Sequence, residues 1–444
     1  MPAPTLSPTP SLKRELGAWD LTAIGVNQVI GGAVFALPAA LAASVGAWSP
    51  WLAAAVGVAS MLIALTFAEV ASRFDATGGS YLYTRAAFGR FAGFEVGWMM
   101  WFTRVASWAA VINVLVTSLG FYWPSAAAGL TRTTLITTII AVLTLINVRG
   151  IRVSSVVVNV LTFGKLLPLS VFVISGIFFV EWFRLQPGEV PAGADLSTSG
   201  LLLIYAFGGY EIVPVPGGES RNPRHDVPFA LITTIAIVAV LMTLIQIVAV
   251  GTFPGLSTSK TPLADAAAMF LGPAGAAMIT LGAVISATGN NMGGAISGSR
   301  NLFALAEQGD LPRVFARVHD TYRTPVMAIL ITSAVSLALA LSGTFQTMAT
   351  TSAVSRLVLY LGTCASALRL RHRRFHTSVN APTFVVPLGP VIPVSAIVIA
   401  LTILAGASTV QLRNGALALL AGAVLYAITV RTHRTNPVEP SRTQ

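Results

Sequence analysis

Residues 203–214 read LIYAFGGYEIVP. Inside a long apolar run, the stretch sets two adjacent glycines, two tyrosines and a carboxylate, Glu211, with no basic residue within a turn. A glycine in a helix interior costs about 1 kcal/mol relative to alanine. A lone acid in an apolar setting costs more unless something pairs with it. The stretch therefore reads as a deliberate interruption of a helix with an ionisable group beside it.

The whole chain is apolar. Of its 444 residues, 55% are hydrophobic and 10% charged, against about 25% charged in a soluble chain. Apolar runs of about 18 to 25 residues recur, each long enough to cross a hydrocarbon core as a helix. They fall at about 20–45, 49–72, 89–119, 133–148, 154–180, 198–216, 227–251, 273–300, 325–342, 347–368, 386–408 and 413–430. No sustained period-two alternation suggests a membrane barrel. The expected fold class is an all-α polytopic membrane protein with about twelve transmembrane helices.

The net charge of +11 follows the membrane rather than nucleic acid. With the N-terminus inside, most arginines fall in inner loops and tails, and the outer loops hold only Arg132, Arg184, Lys260 and Arg413. That asymmetry places both termini in the cytoplasm. The basic run RLRHRR at 369–374 reads as an anchor at the inner membrane surface. The Pro-rich residues 1–14 and residues 431–444 read as cytoplasmic tails, the first disordered and without the features of a signal peptide. The single cysteine, Cys364, excludes an internal disulfide and reads as a small buried apolar residue. No metal site or cofactor motif is expected. The five histidines, at 225, 319, 372, 376 and 433, all fall in inner loops or the tail. With the few intramembrane acids scattered, a membrane-embedded enzyme is a remote alternative.

The first span, LTAIGVNQVIGGAVFALPAALAASVG, repeats the layout of the sixth. Gly31 and Gly32 are followed by Pro38; Gly208 and Gly209 are followed by Pro214 and Pro216. Two interrupted helices in corresponding positions of two five-span halves point to an inverted-repeat transporter. The halves are expected at 15–180 and 198–370, with two further spans in 386–430. Unwound backbone at that depth is tolerated where it lines a cavity. Its freed N–H groups can hold a carboxylate, and its freed carbonyls an ammonium.

Four ordered motifs resemble the amino acid–polyamine–organocation superfamily: VIGGAVFALP at 29–38, AEVASRFDATGGSYLYTRAAFGRFAGFEVGW at 68–98, YAFGGYE with GESRNPRHDVPFA further on, and SRNLFALAEQGDLPRVFARVHDTYRTP at 299–325. The resemblance covers roughly residues 15–430. It implies a LeuT-type 5+5 inverted repeat with discontinuous helices 1 and 6, in the cytoplasmic membrane. It implies substrate carboxylate binding by the backbone of Gly31, Gly32 and Ala33, where Ala33 replaces the family's second glycine. It further implies amine binding and gating at Tyr205, Ala206, Phe207 and Gly208, and a side-chain pocket reached by Asn290 and Asn291. The implied function is secondary active transport of amino acids by alternating access. Proton-coupled symport of small or medium neutral amino acids is the default, and amino acid or polyamine exchange the alternative.

Three basic residues lie within spans: Arg104, Lys165 and Arg356. Lys165 sits about halfway along the fifth span, too far from the inner surface to snorkel. A lysine can give up its proton there, whereas an arginine stays charged. Some relatives carry a fifth-helix lysine in place of sodium, so Lys165 is a candidate proton-coupling residue, with Glu211 as the second. Its expected partners are first-helix carbonyls near Gly25 and polar groups near Ser286. Arg104 and Arg356 call for carbonyls or a carboxylate from another helix, Glu211 among them. Glu69, Arg73 and Glu95 read as gate or structural ion pairs near the inner ends of spans two and three.

Overall fold

The computed structural model describes residues 16–75, 78–149, 155–215, 217, 220–322, 324–372, 375 and 379–435, with the backbone alone at 155–163 and 430–435. The tail expected at 1–14 and most of that expected at 431–444 lie outside these residues, as do Arg152, Arg373 and Arg374. Every regular element described is helical. In hydrocarbon a helix satisfies its own backbone groups, which suits a chain this apolar.

In chain order, α1 (Ala18–Val29) and α2 (Ala33–Val45) form one interrupted element, followed by α3 (Ser49–Ala71) and the short α4 (Gly79–Phe88). Next come α5 (Arg90–Leu119), α6 (Gly129–Arg149) and α7 (Ser155–Gly176). Then α8 (Gly193–Phe207) ends at a second interruption, and α9 (Pro223–Thr252) and α10 (Pro262–Glu307) follow. The set closes with α11 (Val326–Ser342), α12 (Phe345–Leu370), α13 (Val391–Ala405) and α14 (Thr409–Thr435). Seven helical stretches among the described residues are long and apolar enough to cross a membrane, and shorter apolar helices accompany them. The protein is thus a polytopic helical membrane protein. The expected start of the eighth span near 273 corresponds to a kink: α10 begins at Pro262 and bends at Gly272, next to Pro273.

α5 is the buried axis of the bundle, packed against α10, α11, α12 and α14, while α9 packs along α3 and α1. The outermost helices, α6 and α14, keep large apolar side chains such as Leu145, Leu420 and Val424 exposed, as lipid-facing surfaces do.

Two polar clusters tie the loops at one end of the bundle. Glu69, 1% exposed, takes a forked bond from Arg371 (Nε–Oε1 2.7 Å, Nη2–Oε2 2.5 Å) and a third from the Val386 N–H. Forked guanidinium–carboxylate pairs fix orientation as well as charge. Arg371, expected as a surface anchor, thus braces a buried acid, while Arg73 reaches the Asn380 carbonyl. Glu95 has both oxygens buried without a hydrogen-bond partner among the described residues. In the second cluster Asp310 accepts from Arg90 Nε at 2.5 Å and from Tyr81 Oη at 2.9 Å. Burial, and then the Asp310 charge, push the Tyr81 phenol up to about 12. It therefore stays a donor throughout the physiological range, and that bond is lost only as pH rises through that value.

Candidate functional site

The two interruptions face each other. α1 stops at Val29 and α2 starts at Ala33, with Ile30 in a non-helical conformation between them. α8 stops at Phe207; Gly208 is extended (φ −77°, ψ 153°), Gly209 has φ 130°, and a single 3-10 turn covers Tyr210–Ile212. The second glycine of this pair is required on two counts. Its φ lies where side chains rarely go, and a Cβ there would stand 2.7 Å from the Gln28 carbonyl oxygen. The two breaks touch at that point. A Cβ on Gly208 would stand 2.0 Å from Nη1 of Arg356, so the backbone passes directly under a guanidinium.

That guanidinium belongs to a buried charge cluster. Oε1 of Glu211 accepts from Arg104 Nη2 at 2.9 Å and from Arg356 Nε at 3.0 Å. Oε2 accepts from the Gly209 N–H at 2.7 Å and from Tyr360 Oη at 3.4 Å. Relative exposure is 0% for Glu211, 5% for Arg104 and 2% for Arg356. The carboxylate is thereby saturated, and it clamps α5 and α12 onto the unwound segment after α8. Arg356 also donates to the Tyr205 carbonyl at 3.1 Å and lies 5.8 Å from the centre of the Tyr205 ring. Nε of Arg104 has no hydrogen-bond partner among the described residues.

Lys165 holds the other side of the first break. Its ammonium donates to the carbonyls of Asn27 (2.8 Å) and Ile30 (3.0 Å), and Ser286 Oγ donates to the same Ile30 oxygen at 3.3 Å. The last carbonyls of a helix lack intrahelical donors and carry the negative end of its dipole. A cation at the end of α1 satisfies both. The lysine meets Asn27 and Ile30 rather than Gly25, because carbonyls further back are already taken by the helix. Ser286, expected as a partner of Lys165, meets it only through the Ile30 oxygen that both share.

A cavity of about 30 Å³ lies between the breaks, lined by Gln28, Gly31, Ala33, Arg104, Tyr205 and Arg356 among others. Gly208 and Asn290 also line it, and Asn290 Nδ2 donates to the Gln28 carbonyl at 3.2 Å. The lining does not include Gly32, Ala206, Phe207 or Asn291. Gly32 lies against Val111 and Val114, and Asn291 bonds back to the Ala287 carbonyl of its own helix. Gln28 and Ser107 line the cavity and were missed. Ser107 stands three residues after Arg104, on the same helix face, which was the available signal. One turn further along α2 and α5 lies a cavity of about 180 Å³, bordered by Phe35, Val114, Lys260 and Phe345. The rings of Tyr205 and Phe345 meet edge to face at 6.0 Å, between the two cavities.

A family model described as "Amino acid permease" matches residues 16–428. Among similar proteins of Bacillus subtilis (strain 168), a methylthioribose transporter is 26% identical, over 96% of this chain and 95% of that protein. A branched-chain amino acid permease is 26% identical, over 95% and 94% respectively. A serine/threonine exchanger is 28% identical, over 87% and 89%.

Proposed function

The chain belongs to the amino acid permease family, is a transporter rather than an enzyme, and we propose that it moves amino acids by proton-coupled alternating access across the cytoplasmic membrane. The observation that carries this reading is that both helix interruptions open on one cavity. The N-terminus of α2 offers a positive dipole end and the N–H groups of Gly32 and Ala33 to a carboxylate; that of Gly31, held here by the Val29 carbonyl at 2.8 Å, joins them once that turn opens. At the C-terminal end of α8 the Tyr205 carbonyl is held by Arg356; those of Ala206 and Phe207, outside the lining of the cavity as it stands, are to meet the ammonium once the helices part. The cavity has room for a water rather than an amino acid, so binding requires the surrounding helices to part.

In this reading the interrupted α1–α2 and the interrupted α8 segment are counterparts in two inverted halves. The first half ends with α7 and the second with α12; α13 and α14 are additional, giving twelve spans with both termini cytoplasmic. Lys165 is the coupling residue. Charged, it ties α7 to the end of α1, with α10 joined through Ser286. Neutral, it keeps two N–H donors but loses the charge that binds it to the negative end of α1, so the contact weakens and the helices separate. A proton shifts the balance between two states only by binding them unequally, and this contact differs between them. Glu211, fixed by two guanidiniums, an amide and a phenol, serves as a brace rather than a proton carrier.

Uptake into proteoliposomes driven by an imposed pH gradient tests this. Lys165→Ala should lose the response to the gradient while retaining exchange. Lys165→Arg should lose it too, since arginine keeps its charge. Gradient-driven accumulation by Lys165→Ala at the wild-type level would refute the assignment. The second reading, obligatory exchange, is favoured by the similarity to the serine/threonine exchanger.

A further inference from the structure

We propose that the transported amino acid is anionic, carrying a second acidic group, and that Arg104 and Arg356 face that group. The inference rests on the reading of the chain as an amino acid transporter and adds the substrate class. It departs from the default of a small or medium neutral substrate, which followed from the lack of any assigned pocket acid. The pocket bases decide the matter.

The charge count around the cavity is unequal. Arg104, Arg356 and Lys165 are cationic groups that line it or hold its backbone, and Glu211 is the one acid bonded to them among the described residues. Lys165 is satisfied by carbonyls on the far side of the first break. Two permanently charged guanidiniums then share one carboxylate. Glu211 already accepts from four donors, so it cannot neutralise both. The Tyr205 carbonyl and ring soften the excess charge on Arg356, but they carry no charge. A buried charge left uncompensated is costly, and arginine cannot relieve it by losing a proton.

The unused donors point to where compensation enters. Nε of Arg104 is buried without a partner, and Nη2 of Arg356 has only a long 3.5 Å contact to Ser107 Oγ. Both side chains line the cavity. A planar guanidinium with free N–H groups matches a carboxylate. A zwitterion whose own carboxylate is held at the N-terminus of α2 leaves this excess unmatched. A second carboxylate on the side chain matches it.

The approach to the site presents a lysine directly, with the nearby Asp265 set behind the lining and bonded to Ser259 and Thr261. The larger cavity, one turn beyond, has Lys260 at its border and no acid in its lining. Lys260 is exposed and has no ion-pair partner among the described residues. A charge at the mouth of a low-dielectric passage concentrates ligands of opposite sign and speeds their entry.

The test uses the full chain in proteoliposomes preloaded with unlabelled amino acids, so that symport and exchange both register. Uptake of each of the twenty labelled amino acids is compared. Aspartate or glutamate should exceed every neutral and cationic amino acid by about tenfold or more, as sites built around polar partners discriminate strongly. Uptake of a neutral or cationic amino acid at or above that of both acidic ones overturns the inference and leaves amino acid transport standing. Uptake of none of the twenty overturns both. Two variants sharpen the result. Arg104→Gln leaves one guanidinium per carboxylate and should reverse the preference toward neutral amino acids; an unchanged preference counts against the proposal. Lys260→Gln should raise KM for the acidic substrate several-fold at low salt, and the difference should vanish at about 1 M salt, where the screening length is about 3 Å. No change in KM at low salt removes Lys260 from the argument.

Discussion

Glu211→Gln should abolish transport and lower the melting temperature of the purified protein. The amide keeps the shape of the side chain and removes its charge. Arg104 and Arg356, both bonded to Oε1 within 3.0 Å, then face each other across a neutral group in a buried site. Removing one partner from a buried ion pair costs about 3–5 kcal/mol, and here two cations lose the same partner. The amide also presents donors where the Gly209 N–H and Tyr360 Oη now donate, so the unwound segment loses its anchor. Thermal unfolding in detergent and uptake in proteoliposomes read the two effects separately. Wild-type values for both would mean that the cluster is not what holds the second break in place.

Gly209→Ala should remove substrate binding through the backbone alone. With φ at 130°, an alanine there is strained by about 1–3 kcal/mol. Its Cβ would also stand 2.7 Å from a carbonyl oxygen and 2.8 Å from the carbonyl carbon of Gln28. Those are main-chain atoms of α1 and cannot rotate away as a side-chain tip would. The first and second breaks must separate, and the cavity they share changes shape. Binding of labelled substrate to the purified variant should fall below detection while its helical content by circular dichroism stays at the wild-type level. Unaltered affinity would show that contact between the breaks is not needed for the site.

The parts of the site legible in the sequence are those with a local signature. A glycine pair followed by proline marks Gly31–Gly32 and Gly208–Gly209 without any knowledge of neighbours. A lone lysine midway along an apolar run marks Lys165 in the same way. What the sequence does not carry is helix register across the bundle. Glu211 lies 107 residues from Arg104 and 145 from Arg356, and only packing brings the three helical segments to one point. Arg371 was hidden for a related reason. A run of basic residues at a helix end reads as a membrane-surface anchor, yet one of its members turns inward to the buried Glu69. The asparagine pair was partly legible. Adjacent residues on a helix point about 100° apart, so Asn290 and Asn291 could not both face one cavity, and only Asn290 does. Gly25 was displaced as a lysine partner by Asn27 and Ile30 because the freed carbonyls lie in the last turn.

The most direct test of a proton-driven amino acid transporter built on these two breaks uses the wild-type protein in proteoliposomes containing no substrate. Labelled amino acid is supplied outside, and the exterior is made acidic. The expected result is accumulation above the external concentration, independent of sodium and collapsed by a protonophore. Entry only when the vesicles are preloaded with amino acid, with no response to the pH gradient, would contradict it.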